Sequence, residues 1–142
     1  MKCTPQHLEK AIRIAVNAHY GQKDKGGDPY IFHPFRVMNA CSSLEAKIVA
    51  VLHDVVEDTD IEMDFISAEF PIEIVDALKL LTHTPEVDYM DYVQGTKNNP
   101  IAREVKIADL KDNCNVSRIM NMTNKDIERL KKYIAALKIF ED

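Results

Sequence analysis

Residues 44–56 (LEAKIVAVLHDVV) are nearly all apolar, and the run is too long for a typical buried strand. It predicts a buried central helix, with Ser43 as its N-cap, around which the rest of the chain must pack. Inside that helix sits His53-Asp54. An ionised carboxylate buried among apolar side chains is costly unless something pairs with it. Glu57 and Asp58 follow at a spacing of four, which stacks Glu57 above His53 and Asp58 above Asp54. One helix then offers an imidazole and three carboxylates at two adjacent levels, and a divalent cation would offset that charge. The plainer alternative is a partly exposed helix end whose acids are solvated.

The other segments also read as helices. Thr4-Pro5 is a cap with a first-turn proline; Leu8, Ala11, Ile12, Ala15 and Val16 then recur at helical spacing, and Gly21 stops the helix. Residues 22–29 (QKDKGGDP) form a polar, Gly-rich loop. A short helix is expected from Pro34, turning Val37, Met38 and Cys41 inward. After the acidic break at residues 57–60, short helices are expected at 63–69 and 72–81, the second burying Ile74, Val75, Leu78 and Leu81. Further helices are expected at about 88–97 and through Val105, Ala108 and Asp109. Thr123 with Asp126 reads as a capping-box variant opening a last amphipathic helix with Ile127, Leu130, Ile134, Leu137 and Phe140 as its stripe. With only 4 glycines and no alternating segments, a turn-rich β fold is disfavoured.

Composition excludes several function classes. The net charge of −5 provides no global basic field for a nucleic acid, so an anionic ligand must meet local cations or a metal. No apolar run approaches the roughly 18 residues of a membrane span, and MKCTPQHLEK lacks the apolar core of a signal peptide. The 3 cysteines form no C-x-x-C pair, which predicts a reduced, cytoplasmic protein without a zinc–thiolate site. No membrane or nucleic-acid partner is expected.

Two further residues join His53 and Asp54. His33 precedes Pro34 after the aromatic-rich approach PYIF, where a helix start can aim it into a cleft; helix capping is the alternative. Asp109 lies in the mostly apolar VKIADL, and its alternative is an ion pair with Lys106 or Arg103. Together His33, His53, Asp54 and Asp109 give two imidazoles and two carboxylates. That mixed set suits a catalytic manganese, iron, cobalt or zinc ion better than a closed structural zinc site. His19 is a candidate for orienting a ligand or phosphate, against simple packing. Lys25, Arg36 and Lys106 are candidate phosphate contacts, against solvated surface charges. His7 and His83 have no constellation around them and read as surface residues; Cys114 reads as a small packing residue.

The runs AHYGQKDKGGDPYIFHPFRVM, AVLHDVVEDT and VKIADLKDN resemble, in order, the hydrolase half of RelA/SpoT-type (p)ppGpp enzymes of the HD superfamily, and in particular its small stand-alone hydrolases. The resemblance runs from about Ala11 to Asn115. It implies His33, His53, Asp54 and Asp109 as metal ligands, Glu57 and Asp58 as the acidic pair beside the attacking water, and Asn113 as a nucleoside contact. It further implies a manganese ion and removal of pyrophosphate from the 3′ position of a guanosine nucleotide. No synthetase half is expected.

Two departures stand out. The family's Arg-Lys pair after Gly-Gln reads Asp24-Lys25, and an acid cannot bind phosphate as Arg can. A negative charge there predicts a weaker hold on a many-phosphate substrate, unless Asp24 points to solvent and pairs with Lys23 or Lys25. The family's Ala-Asp-Arg-Leu-His-Asn reads Ala108-Asp109-Leu110-Lys111-Asp112-Asn113, losing Arg and His.

The expected architecture is an all-α, single-domain orthogonal bundle of the HD type over residues 1–142, with roughly seven or eight helices. The expected function is metal-dependent hydrolysis of a nucleotide, with a small-molecule nucleotide as partner. The rivals are hydrolysis of another nucleotide or pyrophosphate, a catalytically silent nucleotide-binding signalling module, and a metal-free interaction domain.

Overall fold

The central apolar run does form the buried helix at the heart of the molecule. In this computed structural model, which describes residues 2–141, the order is α1 Pro5–Ala18, α2 Phe32–Ala40, α3 Leu44–Leu52, α4 Val55–Asp58, α5 Met63–Glu69, α6 Ile72–Leu81, α7 Tyr89–Gly95, α8 Pro100–Asn113 and α9 Asn124–Leu137, then a 3-10 turn Lys138–Phe140. Among the described residues there is no strand, only an isolated antiparallel bridge between Lys23 and Pro29. The all-helical expectation is borne out, with the short α4 adding to the count. Met1 and Asp142, the ends of the expected 1–142 span, lie outside the described residues.

Ser43 caps α3 as expected, its side chain accepting from the amide of Ala46. Ile48, Val49 and Val51 are fully buried, and α3 packs against α1, α2, α6 and α8. Each such side chain contributes about 1.5–3 kcal/mol by leaving water, so this helix sets the position of whatever is attached to its end. A second, smaller cluster of Val93, Leu110, Ala136 and Phe140 ties α7 and α9 to α8.

Three sequence expectations need correction. The central helix does not run on to Val56. It stops at Leu52, and His53 and Asp54 form a break before the single turn of α4. The Ala50 carbonyl accepts from the amide of His53 and also lies 2.5 Å from its Nδ1, which turns the chain there. Glu57 and Asp58 therefore belong to a separate turn, not to a second level of one continuous helix. Second, α2 begins at Phe32, so His33 is in its first turn and not ahead of it. Third, α9 keeps only part of the expected stripe: Leu130, Leu137 and Phe140 turn inward as expected, but Ile127 and Ile134 are exposed, and Arg129 and Tyr133 join Leu130 in bordering a polar cavity.

The signals at helix ends hold. Gly21 adopts a left-handed φ of 86° just beyond α1, where a β-carbon would be strained. Thr123 and Asp126 form the expected capping box. His7 is no idle surface residue, because its Nδ1 accepts from the amide of Thr4 at the start of α1 (3.0 Å).

Candidate active site

Three elements converge on one buried point. The first turn of α2 brings His33, the break after α3 brings His53 and Asp54, and α8 brings Asp109. Each offers a ligand atom, and these atoms lie within 4.8 Å of one another. All four side chains are largely buried. His33 Nε2 lies 2.9 Å from Asp109 Oδ1 and 3.6 Å from Asp54 Oδ2. His53 Nε2 lies 3.2 Å and 3.1 Å from the same two oxygens.

The far side of each ring shows what this arrangement fits. His33 Nδ1 is 2.6 Å from Asp112 Oδ2, and His53 Nδ1 faces the Ala50 carbonyl. Both partners are acceptors, so each Nδ1 carries a proton and each Nε2 is the atom turned to the carboxylates. Facing carboxylate oxygens, each Nε2 either carries a second proton or turns its lone pair to a cation bound between them. The titration behaviour follows the same field. Burial by itself pushes both histidines down, but hydrogen bonds to Asp109 and Asp112 lift His33 to about 9, and Asp54 and Asp109 lift His53 well above its usual range. Burial pushes Asp54 up, but His53 outweighs it and holds the carboxyl at about 2. Lys106 and the two histidines hold Asp109 well below the carboxylate range against the same burial. Two imidazole nitrogens and two hard carboxylates, with both rings oriented from behind, fit a divalent cation.

A second ring of side chains holds the first. Tyr30 OH donates to Asp54 Oδ2 (2.5 Å). Lys106, itself buried, donates to Asp109 Oδ2 (3.0 Å) and lies over the ring of Tyr92, 4.9 Å from its centroid. The Lys106–Asp109 ion pair weighed from sequence therefore exists alongside the cluster and not in place of it. Asn113 Nδ2 donates to Asp109 Oδ1 (3.3 Å). Arg36 forks onto Asp112, Nε to Oδ1 at 2.8 Å and Nη2 to Oδ2 at 3.1 Å, so Asp112 is pinned on one side and holds His33 on the other. The position where the family's His is lost is thus filled by an acid with a role of its own.

Glu57 and Asp58 lie beside this cluster, and both, with Asp54, can place carboxylate oxygens within 4.8 Å of one another. Glu57 Oε1 accepts from the amide of His83 (2.5 Å). Burial and the charge of Asp54 raise both carboxyls above their usual range. Asp58 is held through its backbone: its carbonyl accepts from Gln22 Nε2 (2.9 Å), and Gln22 Oε1 meets Nδ1 of the buried His19 (2.9 Å). His19 therefore acts on α4 through Gln22, without touching the cluster.

A cavity of about 680 Å³ opens over the cluster. Of the residues singled out from sequence, Lys25, Arg36, Lys106, Asn113 and Glu57 line it. Sequence reasoning missed His83, which lines the cavity and stacks on Tyr92 at 4.7 Å between ring centroids. It also missed Tyr89, Tyr92, Arg118 and Arg129, which line the same cavity from separate elements. None lies in a motif, so no local signal marks them.

No family model matches the chain. It is 40% identical over 77 residues to a guanosine-3′,5′-bis(diphosphate) 3′-pyrophosphohydrolase of Borreliella burgdorferi, a segment covering 51% of this chain and 12% of that protein. It is 31% identical over 124 residues to the protein of the same name from Aquifex aeolicus, covering 77% of this chain and 18% of the relative. The chain thus spans a small part of the length of the curated relatives it matches. A solved structure described as a metazoan ortholog of SpoT that hydrolyzes ppGpp shares the fold, with a TM-score of 0.76 at 21% identity over 99% of this chain and 86% of that one. The resemblance read from the three motifs is borne out by these relatives.

Proposed function

We propose that this chain, a relative of the RelA/SpoT-type (p)ppGpp enzymes, is a metal-dependent hydrolase that releases pyrophosphate from the 3′ position of guanosine-3′,5′-bis(diphosphate). The observation that carries the reading is the convergence of two imidazole Nε2 atoms and two carboxylates at the floor of the cavity. In this reading His33, His53, Asp54 and Asp109 hold the ion, and manganese suits the mixed nitrogen and oxygen set. When bound, such an ion supplies Lewis-acid polarisation of a phosphoryl oxygen and a lowered pKa for water.

The chain's own groups do the rest. Glu57 and Asp58 orient the attacking water and take its proton, a task suited to carboxylates whose pKa is raised. The bond broken joins the 3′ oxygen to phosphorus. Water supplies the new oxygen of the departing pyrophosphate, and the 3′ oxygen leaves as a hydroxyl after gaining a proton. Lys106 and Tyr30 keep Asp109 and Asp54 aimed at the ion. Lys25 and Asn113 contact the nucleotide, and Arg36 and Lys106 add positive charge on the phosphate side while spending donors on Asp112 and Asp109.

A manganese-supplemented panel of (p)ppGpp, GTP, GDP and inorganic pyrophosphate, run on wild type and Asp54→Ala, tests the reading. Release of 3′-pyrophosphate by wild type alone is expected. Turnover of a less charged nucleotide or of pyrophosphate, with (p)ppGpp left intact, would replace the proposal by that rival. A wild type inert on the whole panel would leave the silent nucleotide-binding module as the reading.

A further inference from the structure

The Gly-rich loop is a closed hairpin packed against the segment joining α8 to α9. Asp24 N donates to the carbonyl of Asp28 and Tyr30 N to that of Gln22, both at 2.8 Å, and Gly27 reverses the chain at φ 91°. Asp24 Oδ1 accepts from the amides of Gly26 and Asp28, each at 2.9 Å. Asp24 is thus not turned to solvent. Its other oxygen, Oδ2, is buried with no hydrogen-bond partner. The cation set against it is Arg118, from the segment joining α8 to α9, with Nε at 3.9 Å. Gly26 lies flush on the same residue: a β-carbon there would stand 2.9 Å from the Arg118 carbonyl oxygen and 3.3 Å from its Cβ. Asp24, Gly26 and Arg118 all line the cavity, next to Lys25 and Arg129.

A buried carboxylate oxygen without a hydrogen bond is stabilised by a nearby cation, and Arg118 is the one facing it. Its side chain remains 30% exposed on the cavity wall. The guanidinium has donors in more than one direction, so Asp24 can fix one edge while others meet a phosphate. We propose that Arg118 is a phosphate-binding residue of this site and that Asp24 is its positioning residue. The loop carries the acid, and the segment joining α8 to α9, packed against it, carries the arginine. The ligand is an oligophosphate, and the assignment rests on the nucleotide-hydrolase reading above.

The test is steady-state kinetics on ppGpp with manganese. Arg118→Ala should raise KM about ten-fold, the scale of one charge-assisted hydrogen bond lost at a partly exposed site, with kcat held within about two-fold. Arg118→Lys should fall between the two. Asp24→Asn keeps the loop's acceptor oxygen and removes the charge, so it should raise KM a few-fold. Asp24→Arg should raise KM further, because it adds repulsion against Arg118 and removes that acceptor. An Arg118→Ala variant with unchanged KM, or an Asp24→Arg variant with a lower KM, overturns the proposal. If wild type leaves ppGpp intact, the functional reading falls, and calorimetry with methylenediphosphonate on metal-loaded protein decides the inference alone. About ten-fold weaker binding by Arg118→Ala then supports it, and equal binding overturns it.

Discussion

The floor and the rim of the cavity are built in opposite ways. The floor hangs on the buried helices α2, α3 and α8, and each of its four clustered side chains has a second contact behind or beside it. The rim is made of the hairpin 22–30, the segment joining α8 to α9 and one face of α9, where side chains are mostly exposed or half-buried. A packed core holds ligand atoms to a fraction of an ångström, which coordination chemistry requires. Exposed loops tolerate substitution, which is where a substrate can be chosen. The proposed reading therefore places the chemistry at the floor and the selectivity at the rim.

The sharpest way to break this division is to remove a ligand from the floor. Asp54→Ala or His53→Ala should abolish both turnover and metal binding, and the rise in melting temperature that manganese gives wild type should vanish, since only a ligand that binds the folded state stabilises it. Chelation of wild type should have the same effect on activity. Retained metal affinity in either variant would detach the cluster from metal binding.

Glu57→Ala or Asp58→Ala comes next. Each should cost about 10²–10⁴-fold in kcat while the manganese-induced thermal shift stays, because a general acid–base group contributes on that scale without ligating the ion. Wild-type rates in both variants would remove the assignment. A pH profile sharpens it. The carboxylate form is the active one, so activity is present above the pKa and lost as pH falls through it. Burial and Asp54 raise both groups, so the acid limb should lie above the ordinary carboxylate values of 4.5 for Glu and 3.8 for Asp. An acid limb at or below those values would contradict the placement.

Asp112→Asn should weaken metal binding about 10–100-fold, measured by calorimetry, because it loosens the group that orients His33. Intact affinity would reduce Asp112 to a partner of Arg36. The smallest effect is expected at the rim. Arg118→Ala should leave manganese affinity within about two-fold of wild type while moving KM, and a large loss of metal would show that floor and rim are not separate.

Much of this was legible locally. The apolar run 44–52 makes the central helix, Ser43, Gly21 and the Thr123–Asp126 box mark helix ends, and the three motifs contain all four residues of the cluster. Each of these signals spans at most a few turns of chain, and near-neighbour periodicity and capping decide them. The break at His53-Asp54 was not legible, because the apolar pattern continues through it and local propensity favours one helix. The exposure of Ile127 and Ile134 on α9 was hidden for a related reason: the apolar spacing fits one stripe, and the cavity takes the neighbouring polar and aromatic positions instead.

The pairings were decided only by tertiary packing. His33 and Asp112 lie 79 positions apart, His53 and Asp109 lie 56 apart, and Asp24 meets Arg118 from a separate segment on the cavity wall. Asp24 read as a misplaced charge and Asp112 as a lost histidine while their partners were unknown. Sequence alone determined which helices form and which residue types can hold a cation. Which acid faces which base was set when α2, α3 and α8 packed together, because electrostatic and hydrogen-bond energies depend on distances that a linear pattern does not carry.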